Sequence, residues 1–144
     1  MHRHSTDELQ NILNETDSIS DLKAFTQMTQ EESHYRSFSA FLSDQMREAG
    51  ISAGDLFRKA DIQMNYGYQI LNGMKNPGRD KVIALSLALS LQLPDVQRAL
   101  TLAGQSVLYP KIRRDSILIF CCNHGYSVEE ANNLLYEMQA EVLK

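Results

Sequence analysis

From residue 38 onward, apolar positions recur at intervals of three and four, the spacing that lines one face of a helix. Phe38, Phe41, Leu42, Met46 and Ala49 predict a helix over 38–49, closed by Gly50. Ser52, with Asp55 three residues on, forms a capping box and opens a second helix that runs to Ala60. A third occupies 63–72 and ends at Asn72-Gly73, because glycine takes the left-handed conformation a C-cap needs. Pro77 keeps that helix from resuming. Residues 79–91 are apolar nearly all round (Val82, Ile83, Ala84, Leu85, Leu87, Ala88, Leu89, Leu91), which predicts a helix at the centre of a bundle. Pro94 suits the first turn of a fifth helix, with Val96, Ala99, Leu100 and Leu102 inward and Gly104 at its end.

The flanks follow the same period. Before residue 37, Ser5 and Glu8 form a capping box for a helix through Leu9, Ile12 and Leu13, and Ile19, Leu22, Phe25 and Met28 mark another. Residues 1–36 therefore predict a helical arm with one apolar stripe, suited either to fold back or to dock on a partner. After residue 104, a helix is expected from Tyr109-Pro110 through Ile112, Ile117, Leu118, Ile119, Phe120 and Cys121 to Asn123-His124-Gly125. Ser127 and Glu130 then cap a last helix with Val128, Ala131, Leu135, Met138 and Val142 on one stripe. That stripe suits either a core or an interface, and together with the weak charge of one protomer it leads to the expectation of a homodimer.

The second and third helices are joined by only Asp61 and Ile62, too little chain for two helices lying side by side. It suits two helices crossing steeply, a helix-turn-helix. Here the chain resembles the XRE-type, lambda-repressor-like helix-turn-helix proteins. The residues that carry the likeness are Ser52, Leu56, Ile62, Ile70, Gly73, Lys75 and Pro77, and it extends over roughly 38–104. It implies an all-α fold with a five-helix repressor-like unit over 37–104, flanked by the arm (1–36) and a C-terminal helical hairpin (105–144). The family usually has a small residue where Phe57 stands and a β-branched one where Gly67 stands. Phe57 and Gly67 are therefore expected to compensate for each other.

The resemblance also implies a function, sequence-specific binding of double-stranded DNA by a transcriptional regulator. The third helix would enter the major groove with Gln63, Met64, Asn65, Tyr66 and Gln69 toward the bases, and Lys75 and Arg79 would meet backbone phosphate. The residue types suit those roles: Gln and Asn offer adenine a donor and an acceptor together, and Met64 suits a thymine methyl.

Charge qualifies this picture. The chain has a net charge of −4, from 14 basic and 18 acidic residues. Residues 1–37 hold 3 basic and 7 acidic groups, 38–91 hold 6 and 5, and 92–144 hold 5 and 6. The motif is thus the least acidic stretch and exerts little pull on a polyanion. The alternative reading is a protein-binding adaptor that keeps the scaffold without reading DNA. No catalytic carboxylate pair, metal-ligand spacing, phosphate-cradling glycine loop or nucleophile with a base is visible, so neither enzyme activity nor a cofactor is expected. The adjacent Cys121 and Cys122 read as small core residues of a reducing compartment. With no apolar leader and no membrane span in view, the expected location is cytoplasmic.

Overall fold

Ser37 opens the first helix by accepting the Ala40 amide on its hydroxyl at 3.2 Å. Seven helices and no strand then make up the regular structure of residues 37–144, the part of the chain that the computed structural model describes. They are α1 Phe38–Ala49, α2 Ala53–Ala60, α3 Met64–Leu71, α4 Arg79–Ala88, α5 Leu93–Leu102, α6 Arg113–Asn123 and α7 Val128–Glu137. The fold class is all-α. The expected N-terminal arm, 1–36, lies outside the described residues.

The apolar run after residue 79 does what its composition demands. Val82 through Leu87 are all buried, and α4 packs against α2, α5 and α7. Ser86 is tolerated there because its hydroxyl donates to the Val82 carbonyl at 2.8 Å. α1 packs on α3 and α5, and α3 also packs on α2, with Gly67 and Ile70 as its buried residues. α6 and α7 lie against each other, and they reach the rest of the unit through α5 and α4 respectively.

Three helix limits differ from expectation, two at local backbone turns and one at a tertiary contact. The first is α7, which ends at Glu137, just before Gln139 turns left-handed (φ 59°). α4 stops at Ala88 rather than near residue 91: Ser90 turns left-handed (φ 55°), and the Leu91 amide reaches back to the Ser86 carbonyl. α6 begins at Arg113 rather than at Tyr109-Pro110. The Tyr109 amide donates to the Asp115 carboxylate at 3.0 Å, and Gln97 holds Leu108 by both its amide and its carbonyl. Those bonds pin the preceding segment as a loop.

The capping box at the start of α7 is complete, Ser127 and Glu130 each accepting the other's amide. That at α2 is half formed. Ser52 accepts the Asp55 amide, but the Asp55 side chain pairs with Arg58 instead. Of the expected stripe, Val128, Ala131 and Leu135 are buried within the chain, whereas Met138 and Val142 lie beyond the end of α7, Met138 exposed and Val142 half-buried.

A crossed pair of salt bridges fastens α6 to α4. Arg79 meets Asp115 at 2.8 Å and Arg114 meets Asp80 at 2.9 Å, adjacent residues on one helix pairing with adjacent residues on the other. Residues 141–144 strap across this junction: Arg114 donates to the Glu141 and Val142 carbonyls, and the Lys144 amide donates to Asp80.

Candidate nucleic-acid interface

The turn before α3 aims that helix. Asp61 adopts a left-handed conformation (φ 56°), and its amide and that of Ile62 return to the Arg58 and Phe57 carbonyls. Ile62 is buried and drives the turn into the core, so the chain leaves at Gln63 in a new direction. Gln63 is the N-cap of α3, but its side chain does not bond the helix end. The first-turn amides therefore stay uncapped, and the Gln63 carboxamide is left for another partner.

α3 packs against α2 at Gly67. A Cβ on Gly67 would fall 2.6 Å from Cδ2 of Phe57 and 2.7 Å from Cγ and Cε2. The ring thus occupies the space a side chain at 67 would need, and the expected compensation between the two is present. On its edge, the Phe57 ring meets Tyr68 in a T-shaped contact with centroids 5.3 Å apart.

With Gly67 and Ile70 inward, the outer face of α3 is Met64, Asn65, Tyr68 and Asn72, beside the exposed Gln63. Tyr66 and Gln69, expected on this face, are half-buried on its flank. Tyr68 was not among the expected contacts, yet it is 50% exposed. Helical spacing alone finds it, since it stands four residues after Met64 and three after Asn65. Carrying over family positions selected Tyr66 instead. Gln63 and Asn65 use no side-chain hydrogen bond within the described residues.

The loop after α3 is held by its own hydrogen bonds. Gly73 takes φ 84°, the Met74 amide donates to the Asn72 side chain, and the Lys75 amide returns to the Gln69 carbonyl. Asn76 and Gln105 tie the loop to the segment after α5 through the Ala103 and Pro77 carbonyls. Lys75 is exposed beside the end of α3, and Met74 is 71% exposed next to it.

Arg79 is placed differently from the phosphate contact expected of it. Its guanidinium donates to both Asp115 carboxylate oxygens, at 2.9 and 2.8 Å, and to the Ser106 and Val107 carbonyls at 2.9 Å each. Four of its five N–H groups are thereby committed inside the molecule, and no fork remains for a phosphate. The distant Asp115 captures it. The Asp115 hydrogen bond holds the Arg79 guanidinium above its ordinary value, against desolvation. Burial pushes the Asp115 carboxyl up, but the Arg79 bonds, the Tyr109 amide and the charges of Arg79 and Arg114 outweigh it and leave it below the usual range.

The surface around α3 is therefore polar and nearly uncharged. α3 has no ionisable group other than its tyrosines, Arg58 is paired with Asp55, and Asp61 stands exposed just before the helix. Elsewhere, a cleft of about 620 Å³ mixes Arg58 and Lys59 with Asp61, Glu129 and Glu130 along its walls. No buried side-chain polar atom among the described residues lacks a partner, so none waits there for a ligand. Among those residues, no three His, Cys, Asp or Glu side chains gather as a metal would require, and no helix is long and apolar enough to cross a membrane. Compared with protein-family models, curated proteins and solved structures, the chain shows no significant match to any of them.

Proposed function

We propose that the protein is a sequence-specific DNA-binding regulator of the repressor-like helix-turn-helix type, with α1 to α5 as the five-helix unit and α3 as the reading helix. The observation that carries this is the outer start of α3, where Gln63 and Asn65 are exposed and make no side-chain hydrogen bond of their own. Carboxamides in that state suit a base edge that offers a donor and an acceptor together, adenine above all. The eight residues of α3 span about 12 Å, close to the width of a major groove. Uncapped first-turn amides and Lys75 would meet backbone phosphate. Tyr68 joins the set at the outer face, and Arg79 leaves it.

The test is selection of a preferred duplex from a random pool, then titration of that duplex and a scrambled one at two salt concentrations. Gln63→Ala is expected to cost about 1–3 kcal/mol on the preferred site and relax discrimination at one base pair. Lys75→Ala is expected to weaken both duplexes alike and flatten the salt slope by about one unit. If the wild-type protein prefers neither duplex at low salt, the carboxamides do not read DNA.

A second reading is an adaptor whose α3 surface docks on a protein. It is favoured by the charge balance, since residues 37–144 hold 11 basic and 11 acidic groups. It is also favoured by the exposed Met64, Tyr68 and Met74, the residue types that mark protein contacts. Loss of duplex preference in the titration would put this reading first.

A further inference from the structure

The start of α6 and the end of α7 meet at one edge of the molecule. Arg113 donates to the Met138 carbonyl at 2.5 Å, and Arg114 donates to the Glu141 carbonyl at 3.0 Å. Large apolar side chains stand exposed on both sides of this junction. Tyr109 and Ile112 are about half exposed on one side; on the other, Tyr136 is 79% exposed, more than any other large apolar side chain described, and Met138 is also exposed. Grouped exposure of this kind, rather than an isolated residue, marks an interaction surface.

The charges of the two sides are opposite. Lys111 and Arg113 flank Ile112, whereas Glu137 lies between Tyr136 and Met138, with Glu141 beyond; all four charged residues are exposed. Lys111 and Glu137 have no ion pair or side-chain hydrogen bond within the described residues. A two-fold axis lays each half of a patch on the other half of its copy, so such a patch must complement itself. A cationic apolar half beside an anionic apolar half meets that condition.

We propose that this edge is a two-fold interface between two copies of the chain, residues 109–113 of one copy facing 136–141 of the other. Tyr136 is its apolar anchor, and Lys111 and Glu137 oppose each other across the axis. The α7 stripe does not serve this role, because Val128, Ala131 and Leu135 are already buried within the chain. The interface does not depend on DNA binding, and its test contains no DNA, so the two ideas fail separately.

Sedimentation equilibrium of the full chain at micromolar concentration reads the association directly. The wild type is expected to be a dimer. Tyr136→Glu, Lys111→Glu and Glu137→Lys are each expected to weaken it about tenfold or more, with the helical circular-dichroism signal unchanged because all three side chains are exposed. The double variant Lys111→Glu with Glu137→Lys is expected to regain most of the wild-type association. A monomeric wild type overturns the proposal, as does a dimer indifferent to all three changes. Loss in the single charge variants without recovery in the double overturns the two-fold arrangement.

Discussion

At the scale of single residues, the contact between Phe57 and Gly67 governs how α3 sits. In an open helix interior, alanine is favoured over glycine by about 1 kcal/mol. At position 67 the new methyl would meet the near atoms of a fully buried ring, which has nowhere to move. Overpacking of that kind costs about 1–3 kcal/mol. Gly67→Ala is therefore expected to destabilise the wild type. Phe57→Ala removes all three ring atoms involved and is expected to cost about 3–5 kcal/mol on its own. In that background Gly67→Ala is expected to reverse sign and stabilise, since only the helical preference is left. A double-mutant cycle by chemical denaturation isolates the coupling; purely additive changes would show that the ring and the glycine do not constrain each other. The two cysteines behave as residues rather than as chemistry. Both are buried, free thiols, and desolvation pushes each up to about 11, so little thiolate exists near neutrality.

At the scale of elements, the turn between α2 and α3 turns on Asp61. Its left-handed backbone is costly for a branched side chain, by about 1–2 kcal/mol, and free for glycine. Asp61→Val is expected to lower the melting temperature, whereas Asp61→Gly is expected to leave the fold intact. Because Asp61→Gly also removes a negative charge beside α3, it should tighten duplex binding if α3 reads DNA; unchanged binding in a folded variant would count against that role. What was legible at this scale was local. The start of α1 and the box at Ser127 depend on side chains reaching three residues along the chain, the closures at Gly50 and Gly73 on glycine's left-handed backbone, and the sequence displays both directly. The start of α6 and the fate of Arg79 were not legible. Both are decided by Asp115, which is 36 residues beyond Arg79 and carries no local signal of its partners. Tyr68 is legible from helical spacing, whereas the family resemblance points to Tyr66.

At the scale of the molecule, the chain in residues 37–144 forms one compact unit, and the crossed ion pairs at the start of α4 and α6 are the polar part of its closure. Asp115 is buried, so Arg79 is its necessary partner rather than an ornament of the surface. Asp80 follows the same pattern as Asp115: burial raises its carboxyl, and the Arg114 bonds, the Lys144 amide and the charges of Arg114 and Arg79 bring it below the usual range. A carboxyl that is more acidic in the folded chain than in the unfolded one stabilises fully above its unfolded value, about 3.9, and loses that contribution as pH falls through the folded value. Stability is therefore expected to hold from neutrality down to about pH 5 and to decline below about pH 4. Asp115→Asn is expected to cost about 3 kcal/mol near neutrality, because it leaves the Arg79 guanidinium half-buried without its counter-charge. Since acid performs nearly the same neutralisation on the wild type, the gap between the two proteins should close as the pH is lowered. Urea denaturation of both, in steps from neutral to strongly acid buffer, measures that gap directly. A difference that stayed constant across the range would mean that acid acts elsewhere, and that the Arg79–Asp115 pair does not set the acid limit of the fold.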